Sequence, residues 1–143
     1  MPKYTTQTIF GPKGNCFSAV VADIFGIPIC EAFYIFKKRR QKSWVGAMNA
    51  WAAKKGFAAL FISPKSGLVP TGLHVMVGTT VRKTHHAVLG KNGTMVHDPH
   101  PDRSGIIKID YYVVFIPLGA TLDHFVRFDA RRHRKLRLGS KPR

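Results

Sequence analysis

The fold is best predicted from residues 85–98, which read His-His-Ala-Val-Leu-Gly-Lys-Asn-Gly-Thr-Met-Val-His-Asp. Apolar residues on both sides of Asn92-Gly93 predict two short strands. Asn-Gly is the pair that a two-residue type I′ turn favours, because both of its central residues take positive φ. The segment therefore predicts a tight antiparallel hairpin.

Similar runs lie on both sides of this hairpin. Residues 57–62 and 73–79 precede it and residues 106–117 follow it, all rich in apolar, β-branched or aromatic side chains. The predicted helices all come before these strands. Helices followed by an antiparallel sheet indicate the α+β class, with N-terminal helices packed on the sheet.

Two helices are predicted ahead of the strands. Residues 16–25 repeat apolar side chains at three- and four-residue spacing, with Asn15 as a candidate N-cap and Gly26 as a stop. Residues 44–55 show a similar stripe after Ser43, a second candidate cap. The glycine-rich turn before residue 16 therefore leads directly into the first helix.

Length and composition indicate one folded domain. The chain has 143 residues, 45% of them hydrophobic, which argues against collagen-like, wholly disordered and coiled-coil proteins. The composition changes sharply near Arg127, and from Arg127 to Arg143 there are eight Lys or Arg residues and one Asp. We expect a domain over residues 1–126 and a basic C-terminal tail over residues 127–143.

The chain is strongly basic. It has 23 Lys and Arg against 7 Asp and Glu, a formal charge of +16, which attracts polyanions. Nucleic acid, an anionic membrane surface or an acidic protein assembly would all fit, and a solvated surface that keeps the protein soluble is the plainer alternative. The candidate polyanion-binding residues are Lys37, Lys38, Arg39, Arg40, Arg131, Arg132, Arg134, Lys135 and Arg137.

The compartment is predicted from what the sequence lacks. Residues 1–10 have no apolar core of the kind that signal peptides carry, and no apolar run is long enough to span a bilayer. Cys16 and Cys30 do not amount to a disulfide framework, so we expect two thiols. These features predict a cytoplasmic protein without a membrane span.

Cys16 is the candidate nucleophile. It opens the first predicted helix, where oriented N–H groups favour a thiolate over a thiol, and Gly14 would allow a substrate to approach the backbone closely. The alternative is a buried structural cysteine, because cysteine packs as a small hydrophobe.

The hairpin concentrates potential bases. Neighbouring strand side chains point to opposite faces, so only one of His85 and His86 is expected at a site, where it could meet Asp98 across the ladder. Zinc is the alternative for this histidine-rich segment, but the spacing matches no common zinc motif, and neither glycine-containing turn has Walker spacing. We therefore expect no metal and no cofactor.

The combination of Cys16 opening a helix, a strand reading His86-Ala87-Val88 and a return strand ending in Asp98-Pro99 resembles the papain-like cysteine hydrolases. The resemblance covers roughly residues 7–100. It is strongest to the compact branch that includes bacteriocin leader peptidases and to small relatives encoded by bacteriophages.

This resemblance implies a catalytic triad of Cys16, His86 and Asp98 that performs acyl transfer on a peptide or protein substrate. It also implies an oxyanion site formed by the Cys16 backbone N–H and a Gln side chain, and Gln7 is the only Gln upstream of the cysteine. A phage origin would imply the host cytoplasm or the virion as the location.

Two functions are consistent with the sequence. The first is a small thiol hydrolase, a peptidase or amidase. The alternative is a catalytically inactive protein of the same fold that binds nucleic acid or an acidic protein assembly through its basic surface.

Overall fold

The computed structural model describes residues 3–38 and 43–131. Its two helices are α1 (Cys16–Phe25) and α2 (Trp44–Lys54). The strands are β1 (Phe57–Ile62), β2 (Leu68–Pro70), β3 (Leu73–Thr79), β4 (His85–Lys91), β5 (Thr94–His97), β6 (Lys108–Pro117) and β7 (Val126–Phe128). Short 3₁₀ turns occupy Ile29–Glu31, Pro64–Ser66 and Leu122–His124.

Five strands form one sheet in the order β1-β6-β3-β4-β5, and β2 and β7 form a separate two-stranded ribbon. Every pairing in both sheets is antiparallel. Two helices packed on an antiparallel sheet confirm the predicted α+β class.

The helices cover one face of the five-stranded sheet. Val20 and Val21 of α1 are fully buried against sheet residues such as Val113. Each such side chain contributes about 1.5–3 kcal/mol through removal of its surface from water. The Phe25 ring packs edge-on against Trp51 at 5.1 Å and so joins the two helices. The apolar periodicity that predicted α1 thus corresponds to its buried stripe.

The β2–β7 ribbon contributes to a second apolar cluster. Met76, Val88 and Val114 alternate along their strands with the residues that face the helices, and they pack in a cluster with Val126 of β7. Arg127 and Phe128 continue this strand by pairing with β2. The expected boundary after residue 126 therefore falls inside β7, and the predicted tail beyond Arg131 lies outside the described residues.

The turns adopt the predicted backbone conformations, whereas the predicted side-chain bonds at the two helix N-caps do not form. Asn92 and Gly93 take φ values of 54° and 83°, as the predicted hairpin turn requires, and Gly26 ends α1 in the left-handed conformation. Neither Asn15 nor Ser43 caps its helix through its side chain. Both residues occupy the predicted N-cap positions, but without the side-chain bond to the helix that a cap of this type makes.

The strand formed by the last apolar run begins at Lys108, two residues later than predicted. The Ile107 backbone N–H instead bonds the Thr79 carbonyl at 2.7 Å, and its side chain is exposed. No helix in the described residues has both the length and the apolar character needed to cross a bilayer.

Candidate active site

Cys16 is the first residue of α1 and is half-buried. No side chain caps this helix end, and no acidic residue occupies the first turn. The backbone N–H of a first-turn residue has no partner within its helix and is available to a ligand. The start of α1 therefore presents a thiol next to unpaired amide donors.

The side chain of Asn15 bonds the segment before the helix instead of the helix itself. Its Oδ1 accepts from the backbone N–H groups of Thr8 and Ile9, each at 2.9 Å, and its Nδ2 donates to Thr8 Oγ1 at 2.8 Å. Its own backbone N–H donates to the Ile9 carbonyl at 3.1 Å. Asn15 thereby fixes the segment that carries Gln7 beside the start of α1.

His86 and Asp98 form a buried pair. Nε2 of His86 lies 2.6 Å from Oδ1 of Asp98, and both side chains are almost inaccessible to solvent. His85, its neighbour on β4, is exposed and lies 3.5 Å from an Asp110 oxygen. The expectation that only one of the two histidines is available to a buried site is consistent with this arrangement.

The loop after β5 holds the Asp98 carboxylate. Oδ1 also accepts from the His100 backbone N–H at 2.9 Å, and Oδ2 accepts from the Gly105 N–H at 2.7 Å. Arg103 donates to the Asp98 carbonyl. These bonds favour the ionised carboxylate and fix its direction toward His86.

Cys16 and His86 line the same cleft, and Cys16 helps to raise the pKa of the His86 ring, so the two side chains are close neighbours. Because Nε2 of His86 bonds Asp98, Nδ1 is the ring nitrogen left for the sulfur. The thiol and the imidazole thus share the cleft, and the carboxylate bonds the imidazole.

Burial alone would lower the pKa of His86, but the hydrogen bonds and charges of Asp98 and Cys16 outweigh it and raise that pKa to about 9. Burial would raise the pKa of Asp98, yet bonds from His86, His100 and Gly105 lower it to about 2. At neutral pH the pair is therefore an imidazolium and a carboxylate.

Gln7 is buried in the same cleft. Its Nε2 donates to the Ile9 carbonyl at 2.9 Å, and its Oε1 is buried without a hydrogen-bond partner in the described residues. The reverse orientation of the amide would place two carbonyl oxygens against each other. Nε2 therefore keeps a second hydrogen that the Ile9 carbonyl does not use.

A cleft of about 700 Å³ gives access to these groups. Cys16, His86 and Gln7 line it together with His100. Its apolar lining comes from Phe17, Ile35, Phe36, Trp44, Val77, Ala87 and Tyr111. Burial, with the charges of Asp110 and Cys16, raises the pKa of Tyr111, so its hydroxyl stays protonated at neutral pH.

The remaining histidines of the hairpin region do not gather around a metal. His97 lies 3.0 Å from the Thr5 carbonyl through Nε2, and His100 Nδ1 accepts from the Asp102 backbone N–H at 3.1 Å. Among residues 3–38 and 43–131, no three His, Cys, Asp or Glu side chains are grouped as metal ligands. Both cysteines are free thiols, and Cys30 is exposed.

The predicted polyanion-binding residues are described only in part. Lys37, Lys38 and Arg131 are exposed. The other members of the predicted set, Arg39, Arg40, Arg132, Arg134, Lys135 and Arg137, lie outside the described residues.

Several residues that shape the site were not identified from the sequence. Asn15 bonds the segment that carries Gln7, and the backbone N–H groups of His100 and Gly105 donate to Asp98. These bonds depend on how the loops pack, which local sequence patterns do not indicate. The turn of Arg82 and Lys83 at the rim of the cleft was also missed. Its one local signal is a Thr-rich turn between two strands, which indicates a hairpin but not a binding site.

No protein-family model, no curated protein and no solved structure matches the chain.

Proposed function

We propose that this protein is a small papain-like cysteine hydrolase, a peptidase or amidase, in which Cys16, His86 and Asp98 perform acyl transfer. The observation that carries the proposal is that Cys16 and His86 line one cleft, with the His86 ring bonded to the buried Asp98 carboxylate. A buried cysteine of purely structural role would need neither the imidazole nor the carboxylate behind it.

In this mechanism the Cys16 sulfur attacks the carbonyl carbon of an amide bond. The carbonyl oxygen becomes an oxyanion that the Cys16 backbone N–H and Gln7 Nε2 stabilise by donation. The His86 imidazolium then donates its proton to the leaving amine as the carbon–nitrogen bond breaks, which leaves a thioester. Water attacks the thioester with His86 as base, and the thiol and a carboxylic acid are released.

The charge state of the pair supports this assignment. A pKa of about 9 keeps His86 protonated at neutral pH, so a proton is available for the leaving group. Asp98 contacts the ring on the side away from the sulfur, where it orients the ring and stabilises the imidazolium.

Alkylation with iodoacetamide at pH 7 tests the proposal, because the exposure of the two thiols and the proposed mechanism predict opposite orders of reactivity. Cys30 is exposed and Cys16 is half-buried, so exposure alone predicts that Cys30 reacts first. The proposed thiolate predicts the reverse, with Cys16 about tenfold faster or more. Mass spectrometry of peptides after timed quenching measures both rates.

Matched variants complete the experiment. His86→Ala is expected to slow alkylation of Cys16 strongly, whereas His85→Ala, its exposed neighbour, is expected to leave the rate unchanged. Faster labelling of Cys30 in the unmodified protein would contradict the proposal.

A second candidate is favoured by the charge of +16 and by the exposure of Lys37 and Lys38. In this alternative the same fold binds nucleic acid or an acidic assembly without catalysis. Binding of a 20-base single-stranded DNA would then weaken steeply with salt, and Lys37→Gln with Lys38→Gln would make the slope shallower. Labelling of Cys16 no faster than Cys30, together with such binding, would favour this alternative over the hydrolase.

A further inference from the structure

The cleft has a charged rim on only one side. Among the described residues that line it, the side chains with permanent positive charge are Arg82 and Lys83 of the turn between β3 and β4, and no Asp or Glu lines it. Asp98 is buried behind His86, and Asp102 is paired with Arg82. The described lining therefore carries permanent positive charge and no carboxylate; the nearest remaining acid, Asp110, pairs with His85.

This turn is held in one conformation by several bonds. Thr80 is fully buried, and its Oγ1 lies 2.9 Å from Thr84 Oγ1. The Thr80 backbone N–H donates to the Thr84 carbonyl at 2.9 Å, and the Lys83 N–H donates to the Thr80 carbonyl at 2.9 Å. The two residues at the tip are thus presented by a defined scaffold.

Arg82 contributes to that scaffold. Its guanidinium pairs with Asp102 and also donates to Ser104 Oγ at 3.2 Å. These bonds tie the turn to the loop that holds Asp98. With its charge neutralised in this way, Arg82 acts as a positioning residue for the turn.

Lys83 differs from Arg82 in its backbone conformation and in the partners of its side chain. Its φ of 61° lies in the left-handed region, which glycine or asparagine adopts more readily than lysine. Its ammonium group forms no ion pair within the described residues. A lysine that occupies a position better suited to glycine, with a free charge at the cleft, indicates a use for the side chain.

Apolar and aromatic side chains form a large part of the remaining wall of the cleft. The Trp44 ring lies 5.8 Å from Phe17 and 5.9 Å from Phe61, and Phe61 lies 5.6 Å from Tyr111. This wall would accept an apolar side chain of a substrate. The cleft therefore combines an apolar wall with a single unpaired cation.

We propose that the cleft selects peptides in which an apolar residue is followed or preceded by an acidic one, and that Lys83 is the residue that recognises the acidic side chain. The inference rests on the proposed function, because it assigns the substrate class of the same cleft. Lys83 contacts substrate beside the reacting bond and takes no part in proton transfer.

The test uses bromoacetyl dipeptide amides, which alkylate a reactive cysteine without a known substrate. The reagents carry Leu next to Glu, Gln or Lys, in both sequence orders. In at least one order, the Glu reagent is expected to label Cys16 faster than the Gln reagent, with the Lys reagent slowest. The Glu-to-Gln rate ratio is expected to fall about two- to fivefold in Lys83→Gln, the upper part of the range for one exposed charge pair, and to fall further in Lys83→Glu.

Lys91→Gln is the matched control, because Lys91 is an exposed lysine of β4 that does not line the cleft. It should leave the ratio unchanged. A smaller preference for Glu that persists in Lys83→Gln measures the contribution of the other positive charges of the protein, Arg82 and the His86 imidazolium among them. If iodoacetamide labels Cys16 rapidly but Lys83→Gln does not change the Glu-to-Gln ratio, the role of Lys83 is overturned. The proposed function would stand in that case.

Slow labelling of Cys16 by every reagent, iodoacetamide included, would contradict the proposed function and the inference with it. Thermal unfolding of Lys83→Gln provides the check on folding. The variant is expected to unfold at the same temperature as the unmodified protein, since the side chain has no partner to lose.

Discussion

His86 and Asp98 lie on opposite sides of the hairpin turn, twelve residues apart in the chain, with Nε2 and Oδ1 separated by 2.6 Å. Burial of an imidazole disfavours its charged form, and Asp98 together with Cys16 more than reverses that effect. The pair therefore stores a proton inside the cleft at neutral pH. Its titration can be measured directly.

The titration of His86 should depend on Asp98. In ¹H–¹³C NMR spectra the His86 Cε1 signal is expected to titrate with a midpoint near pH 9. In Asp98→Asn the burial effect remains and the carboxylate is gone, so the midpoint should fall by more than one pH unit. Asp110→Asn is the control, because Asp110 pairs with the exposed His85 and should not affect His86. An unshifted midpoint in Asp98→Asn would contradict the coupling.

The free energy of unfolding should be greatest near pH 6.5. His74 is fully buried with no hydrogen-bond partner among the described residues, and burial lowers its pKa from 6.5 to about 4. The unfolded chain therefore binds a proton that the folded chain does not, and stability falls as the pH drops from 6.5 to 4. His86 has a folded pKa above its unfolded value, so its contribution is complete below pH 6.5 and is lost as the pH rises through 9.

Urea unfolding between pH 4 and pH 9 measures both limbs of this profile. Each limb has an upper bound of about 3 kcal/mol, from the size of the pKa shift. His74→Leu should flatten the acid limb only, because it removes the buried base that stacks on Tyr112. An acid limb of unchanged steepness in this variant would assign the loss of stability to other groups.

Gly78 should be intolerant of a side chain. It lies opposite His86 in the β3–β4 register and next to a register shift between β3 and β6, and an added Cβ would lie 1.9 Å from the Lys108 carbonyl oxygen. Gly78→Ala must displace backbone and is expected to destabilise the protein by about 2–3 kcal/mol. The displacement should also slow iodoacetamide labelling of Cys16 through His86.

Gly46→Ala is the matched control in α2, where an added Cβ meets no atom within 4 Å. It should stabilise the helix by about 0.5–1 kcal/mol and leave the labelling rate unchanged. Thermal denaturation followed by circular dichroism separates the two variants. Equal stability of both would show that β3 and β6 adjust to the extra methyl group.

Gln7 should matter for acyl transfer but not for alkylation. Attack on p-nitrophenyl acetate generates an oxyanion, whereas displacement of iodide from iodoacetamide does not. Gln7→Ala is therefore expected to slow release of p-nitrophenol about 100-fold or more while the alkylation rate of Cys16 stays within twofold. Parallel loss of both rates would indicate that Gln7 only supports the local structure.

Much of the fold could be predicted from local patterns. The α1 stripe, the left-handed Gly26 and the Asn92-Gly93 turn are consequences of side-chain periodicity and backbone sterics, and each was predicted within a residue or two. The N-cap positions were also predicted, but the side-chain bonds expected there do not form. An Asn before a helix can bond either the helix N–H groups or a neighbouring segment, and Asn15 bonds Thr8 and Ile9 instead.

The candidate site was predicted in part. Cys16, His86 and Asp98 were chosen from helix position, strand alternation and family resemblance. Cys16 and His86 line one cleft, and Asp98 is bonded to His86 behind it. The loop donors to Asp98, the environment of His74 and the conformation of the Lys83 turn were not predicted. Each depends on contacts between segments that are distant in sequence or on a backbone conformation that no residue type indicates.

The order of residues thus specified the helices, the hairpin and the chemical character of the chain, because backbone sterics, alternation and charge act over a few residues. Folding in three dimensions specified which ring nitrogen faces the sulfur, how Asp98 is held and why Lys83 has no acidic partner. Those properties arise when burial and hydrogen bonding act on groups from distant parts of the chain, and their strength depends on distances that only the packed structure sets.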